Sequence, residues 1–316
     1  MDYMKNKGIS LVSTGKALPS KVVTNDDLGK IVDTSDEWIY TRTGIKSRYK
    51  CEDESCTSLA VSAARNALSK AGIDKNEIGV IVVATSTPDN VFPSVACQIQ
   101  KALELDEEVM AFDLSAACTG FIYALGVANG LLHTGKKEYA LVVGSEEMSR
   151  ITDYSDRGTC ILFGDGAGAA IVKKSDNVFC QKSYTRGNDE VLRCAGVGND
   201  NAYISMKGNE VFRFAVTVLH QAIEDVLKES NMTLDDVDYI ICHQANERII
   251  GHVQKKFEGY EDKFIINLRQ YGNTSAASIP ITLDDINESG RLENGNKVIF
   301  VGFGAGLTWS GALVEL

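Results

Sequence analysis

The chain has 316 residues, 44% hydrophobic and 24% charged, with a formal net charge of −11. That length buries a large core in two domains or one large one, and the acidic balance argues against a general nucleic-acid binder, so an acidic partner needs a local basic patch. No apolar run reaches the roughly 18 residues of a membrane span, and MDYMKNKGISLVSTG is too weakly apolar for a signal peptide, which predicts a cytoplasmic protein with no membrane role.

In chain order, SLAVSAARNALSKAGIDKNEIGVIVVAT (58–85) puts apolar residues at helical spacing, then a turn, then a continuous apolar strand. EVMAFDLSAACTGFIYAL (108–125) reads as strand, short turn, helix, and KKEYALVVGSEEM (136–148) as a strand ending in a glycine-containing loop. The same order returns in RFAVTVLHQAIEDVLKESNMTLDDVDYIICH (213–243), KFIINLRQYGNTSAASIPITL (263–283) and NGNKVIFVGFGAG (294–306). Such alternation predicts an α/β layered fold, and strands apolar on both faces belong in sheets covered by helices. We expect two duplicated halves, 1–174 and 175–316. Duplication brings the loops after equivalent strands together, so Cys118 of the first half would meet His243 and Asn273 of the second.

Two glycine-rich stretches, GDGAGAA (164–170) and GFGAG (302–306), look like dinucleotide fingerprints. Each is followed by a strand, AAIVKK or LTWSGALVEL, where a phosphate-binding helix would be required. Hairpins with close backbone approach to a ligand fit better, and an amide of GFGAG could serve as an oxyanion donor.

The eight cysteines are scattered, with no paired C-x-x-C spacing for zinc, which predicts reduced thiols and no metal site. Cys118 stands at a predicted helix N-terminus, where the dipole and unpaired amides favour a thiolate. By itself it reads as a nucleophile or as a buried structural thiol. His243 ends the strand YIICH, whereas His133, His220 and His252 lie inside predicted helices and read as structural. Asn273 sits in an ordinary glycine-containing turn, where Thr274 or Ser275 could cap the next helix.

Taken together, TSDEWIYTRTGIKSR, FPSVACQIQ, SAACTGF, DRGTCILFGDGAGAA, GNEVFRFAV, HQANERII, YGNTSAAS and GFGAGLTWSGALV follow the order seen in one family. Along essentially its whole length the chain resembles β-ketoacyl-acyl carrier protein synthase III, a condensing enzyme of type II fatty acid synthesis. The resemblance implies the thiolase fold, two mixed α/β halves in a five-layered α/β/α/β/α sandwich, as a homodimer. It also implies an acyltransferase that condenses a short acyl-CoA with malonyl-acyl carrier protein through an acyl-cysteine, without metal or redox cofactor. A homologue serving a different acceptor in secondary metabolism is the alternative.

Residue by residue, the resemblance makes Cys118, His243 and Asn273 catalytic, with the amides of Cys118 and Gly304 as the oxyanion hole. Trp38 and Arg157 match an adenine-stacking pair, and Arg42 a contact to the CoA nucleotide. Gly208, Phe212, Ala245 and Asn246 match the pantetheine tunnel. Phe92 matches a residue that closes the partner's acyl pocket, with Met148 and Phe163 as its walls. Arg213, Arg248, Lys255 and Lys256 are candidates for carrier docking, the last three expected on the helix after His243. Ala305 and Ser310 stand where many members have glycine, and the stretch 188–201 matches poorly.

Overall fold

The computed structural model describes residues 7–196 and 203–316. Residues 197–202 lie outside the described residues, and with them part of the poorly matched 188–201 stretch.

The first sheet is built from β1 (Gly8–Ala17), β2 (Ile78–Ala84), β3 (Met110–Leu114), β4 (Tyr139–Glu146) and β5 (Gly166–Ser175), in the order β1-β5-β4-β2-β3. The second uses β6 (Phe179–Asn188), β7 (Tyr239–Cys242), β8 (Phe264–Ile265), β9 (Lys297–Gly304) and β10 (Gly306–Glu315), in the order β6-β10-β9-β7-β8. Strand for strand the two orders are the same, and so are the directions. In each sheet the three strands at one side run parallel and the remaining two pair antiparallel.

Five helices are needed to place the site: α1 (Asp36–Thr43), α2 (Cys56–Ala71), α3 (Val95–Leu103), α4 (Gly120–Thr134) and α5 (Gly208–Ser230). Two more follow, α6 (Glu247–Gln254) and α7 (Ser278–Glu288). Alternation along the strands sorts the side chains into layers. Val80, Val82 and Ala84 of β2 pack inward with α4 and α7, while Ile81 and Val83 pack outward on α2 and α3. On β9, Val298 and Phe300 point inward, while Ile299 and Val301 pack outward on α5 and α6. A strand buried on both faces must be apolar at every position, hence VIVVA and VIFV.

Helix character follows from position. α2 is amphipathic, burying Leu59, Ala60, Ala63, Ala64 and Ala67 on one face, capped by Ser55 and stopped by left-handed Gly72 at φ +64°. α4, between the two sheets, is apolar nearly all round. The result is the thiolase fold, a five-layered α/β/α/β/α sandwich of two duplicated halves.

Several local expectations need correction. The strand in KFIINL covers only Phe264–Ile265, and a short helix, Leu268–Tyr271, intervenes before the next turn. Gly144, Gly302 and Gly304 lie inside β4 and β9, not in loops after them. Neither Thr274 nor Ser275 caps α7 by its side chain. α6 ends at Gln254, with Lys255 as its C-cap and Lys256 beyond it, so only Arg248 of the three cations lies within that helix.

Candidate active site

The parallel strands β2, β3, β4 and β7, β8, β9 point their C-terminal ends at one region, the usual place for ligands in such sheets. A cavity of about 290 Å³ opens there, lined by Cys118, His243, Asn273, Ser275 and Gly304 among others. Turns of each half pack against strands of the other. The turn Ala117–Thr119 meets β9, and the turn Ser275–Ala277 meets β4.

Cys118 lies in the turn that runs into α4. Ala117 before it holds φ +46°, left-handed backbone that is unusual for a residue with a Cβ. Thr119 anchors the turn, donating to the Ala116 carbonyl at 2.7 Å and pairing with Thr308 Oγ1 at 2.9 Å. Gly304 permits the close approach of β9, since a Cβ there would lie 2.9 Å from the Cys118 nitrogen. The expected thiolate is not what the resting environment favours. Burial pushes the Cys118 thiol up to about 12, Glu146 adds to the rise, and Ser275 Oγ lies 3.5 Å from the sulfur. Desolvation outweighs the helix terminus because the sulfur faces the cavity from deep in the fold.

His243 follows β7, its amide bonded to the Val301 carbonyl at 2.7 Å, and is 1% exposed. Burial lowers its pKa to about 3, so the ring is neutral. Ser278 Oγ accepts the Gln244 amide proton at 3.3 Å and pairs with His243 Nδ1 at 2.7 Å. A neutral ring accepting at Nδ1 carries its proton on Nε2.

Asn273 is tied to the first half through its backbone, donating to the Leu162 carbonyl at 2.9 Å and accepting from Gly164 at 3.1 Å. This explains GDGAGAA, because a side chain on Gly164 would run into the Tyr271 carbonyl. Asn273 Oδ1 accepts the Ser275 amide at 2.9 Å, leaving Nδ2 as the free donor.

Of the remaining predicted residues, Arg42, Met148, Phe163, Gly208, Phe212, Ala245 and Asn246 line the same cavity. Met148, Phe163 and Ile204 form one buried cluster. Asn246 caps α6, accepting the Arg248 amide at 2.8 Å, and donates to the Arg42 carbonyl at 3.0 Å. Trp38 stands outside the lining, flanked by the guanidinium groups of Arg42 at 4.3 Å and Arg157 at 4.7 Å. Phe92 is not in the lining and is 84% exposed. Arg213, Arg248, Lys255 and Lys256 are exposed on the second half. Ala305 lines the cavity, but Ser310 does not; it bridges β10 to β6 through Ser183 Oγ at 2.8 Å and the Lys182 carbonyl at 3.0 Å.

Sequence reasoning missed Ser278, Ser275 and Glu146. The two serines stand in the quoted YGNTSAAS, and overlaying KKEYALVVGSEEM on NGNKVIFVGFGAG would have set Glu146 opposite Gly304. The antiparallel pair of strands Leu192–Cys194 and Ile204–Met206 was missed as a cavity wall as well.

A duplicated α/β sandwich whose strand ends bring a cysteine, a histidine and an asparagine to one apolar cavity defines a thiolase-fold condensing enzyme. Profiles of 3-oxoacyl-[acyl-carrier-protein] synthase III and of its C-terminal region match residues 112–187 and 227–316. The chain belongs to that family. The β-ketoacyl-[acyl-carrier-protein] synthase III of Clostridium tetani is 46% identical, covering 99% of both chains. The crystal structure of 3-oxoacyl-[acyl-carrier-protein] synthase III from Aquifex aeolicus superposes with a TM-score of 0.93 at 42% identity, covering 98% of this chain and 100% of that one. The priming β-ketosynthase of the R1128 polyketide pathway superposes with a TM-score of 0.91 at 34% identity, covering 98% and 97%.

Proposed function

We propose that the protein condenses an acyl-CoA primer with malonyl-acyl carrier protein, releasing CoA and carbon dioxide, and so starts fatty acid synthesis. The observation that carries this reading is the convergence of Cys118, His243, Asn273 and Gly304 on one cavity in a chain of this family.

Cys118 attacks the primer thioester and holds the acyl group, splitting the reaction into two half-steps. The amides of Cys118 and Gly304 bind the oxyanion of the tetrahedral intermediate. Malonyl-carrier thioester then enters. His243 Nε2–H and Asn273 Nδ2–H donate to its carbonyl oxygen, stabilising the enolate that forms as carbon dioxide leaves. The enolate carbon attacks the acyl-cysteine, and Cys118 leaves as a thiolate that a proton from solvent returns to the thiol. The departing carboxylate supplies the carbanion, so these steps draw on no metal or redox cofactor. Neutral His243 suits the donor role, since its Nδ1 is already occupied by Ser278.

The CoA nucleotide meets Trp38, Arg157 and Arg42 at the cavity mouth, and pantetheine passes Gly208, Phe212, Ala245 and Asn246. Val91 and Phe92, 76% and 84% exposed, support a homodimer in which Phe92 closes the partner's acyl pocket over Met148 and Phe163. Arg213, Arg248, Lys255 and Lys256 form the local basic patch for an acidic carrier protein. Cys51, Cys56, Cys97, Cys118, Cys160, Cys180 and Cys242 are free thiols, and no described helix is long and apolar enough to cross a membrane. We assign the protein to the cytoplasm, and its halves to 1–174 and 175–316.

The test is to incubate the protein with a panel of acyl-CoAs and malonyl-carrier protein, and to weigh both acyl-enzyme and product. The expected product is β-ketoacyl-carrier. A different condensate, a free acid, or acyl label away from Cys118 would overturn the reading.

A further inference from the structure

Glu146 ends β4 with its side chain completely buried, and no step above uses it. Its Oε2 accepts from the Thr87 hydroxyl at 2.6 Å and the Ser86 amide at 3.0 Å. Its Oε1 accepts from the Ser275 hydroxyl at 3.0 Å. Ser275 Oγ lies 3.5 Å from Cys118 Sγ, in position to accept the thiol proton. Because Ser275 gives its own proton to the carboxylate, the chain of bonds has one direction, from S–H to Oγ and from O–H to Oε1. Ser275 holds left-handed backbone, φ +49°, and lines the cavity. Strained backbone of this kind is kept where the surroundings over-determine it.

We propose that Ser275 and Glu146 form a proton relay that takes the Cys118 proton during acylation, Ser275 as a catalytic residue and Glu146 acting through it. The proposal rests on Cys118 being the nucleophile. As the sulfur lone pair forms the S–C bond to the thioester carbon, the carbonyl π pair moves onto oxygen. The Cys118 proton passes to Ser275 Oγ, the Ser275 proton passes to Glu146 Oε1, and the acid becomes neutral. When the tetrahedral carbon collapses, its bond to the CoA sulfur breaks and that sulfur takes the electron pair. The proton returns through Ser275 to the departing sulfur, CoA leaves as the thiol, and Glu146 is a carboxylate again.

The relay resolves a conflict in the resting site. A thiolate beside a buried carboxylate would place two like charges together, which is costly. Passing the proton moves the negative charge instead of doubling it. Burial raises the carboxyl above its usual range, which makes it a better acceptor for a thiol proton. Cys56, whose sulfur lies 3.3 Å from Thr85 Oγ1, also feels Glu146, and its thiol is held up at about 12, mainly by burial, so it stays protonated through the neutral range.

Single-turnover acylation by acetyl-CoA, with the label located by mass spectrometry, tests the relay. In Glu146→Gln and in Ser275→Ala, acylation at neutral pH falls about 100-fold, the ordinary contribution of a positioned proton acceptor. The double variant is no slower than the singles, because the two residues act as a unit. The acidic limb of the wild-type rate profile disappears in both single variants, which a merely structural role would not produce. The residual label stays on Cys118 in every case. Label that persists in Cys118→Ala sinks the nucleophile assignment instead, which keeps the two failures apart. A Glu146→Gln enzyme that acylates at the wild-type rate, or faster as removal of an opposing charge requires, overturns the relay. Should Glu146→Gln fail to fold, Ser275→Ala decides alone, and a wild-type rate there overturns it.

Discussion

In the first half, β3 ends at Leu114 and the chain enters the turn Ala117–Thr119 before α4; in the second, β8 ends at Ile265 and the corresponding turn is Ser275–Ala277 before α7. Ala117 and Ser275 take the same left-handed backbone, φ +46° and +49°. Gly302 of the second half faces the Cys118 carbonyl, and Gly144 of the first faces the Ala276 carbonyl. One backbone solution is thus built twice, with a glycine in each sheet admitting the other half's turn. The side chains at matched positions differ completely. Cys118 answers to Ala276, Thr85 to His243, and Glu146 to Gly304. Duplication supplied the strand ends, and divergence divided the chemistry between them.

The sharpest way to break that comparison is to move the thiol. Cys118→Ser should abolish acyl-enzyme formation, read by mass after incubation with acyl-CoA, because a serine alkoxide is not accessible near neutral pH. Placing a cysteine at Ala276 in a Cys118→Ala background should not restore it, since Ala276 is 1% exposed and does not line the cavity. Acylation of that double variant would mean the two turns are interchangeable.

Next in size, His243→Ala or Asn273→Ala should slow condensation about 100- to 1,000-fold, the cost of one polarising donor. Acylation measured by CoA release should suffer less. Equal losses in both half-reactions would place these residues in the first step as well. Gly304→Ala should slow acylation about 10- to 100-fold by shifting the turn at Cys118, as a misplacement of about an ångström does. Here the clash distance of 2.9 Å to the Cys118 nitrogen predicts the effect.

The pair Thr85 and His243 differs in titration. Burial takes the His243 pKa from the usual 6.5 to about 3. Between those values the unfolded chain binds a proton that the folded chain does not. Stability from this group is therefore complete above about pH 6.5 and falls as pH drops, by up to about 1.4 kcal/mol per pH unit. Thr85 contributes nothing of the kind. Unfolding of wild type and His243→Ala should diverge in slope across that window, and parallel curves would show that His243 is not held neutral.

The smallest effect belongs to the outer layer of the second half. Lys256→Glu should weaken carrier-protein binding about two- to fivefold, in the range of exposed ion pairs, with a shallower salt dependence. Unchanged affinity and salt dependence would remove Lys256 from the docking patch.

Much of this was legible in the residues. Strand and helix periods are local, so VIVVA, IIC and VIFV announced buried parallel strands, and their order announced two copies. The residue types at the strand ends, Cys118, His243 and Asn273, were visible for the same reason. Local patterns misjudged FIINL, because two residues of ladder pairing end that strand and a short helix follows. They also overextended the helix after His243 as far as Lys256.

By itself the sequence determined the layered fold, the duplication and the residue types proposed to react, since each follows from side-chain period or chemical type. Only the tertiary structure decided where the protons sit. The pairing of the His243 ring and the raised Cys118 thiol depend on groups distant in the chain, Ser278 for the ring and, after burial itself, Glu146 for the thiol, whereas the Asn273 amide is oriented by Ser275 two residues on. Charge and protonation respond to burial and to neighbours within a few ångströms, and those neighbours are brought together only when the two halves close on each other.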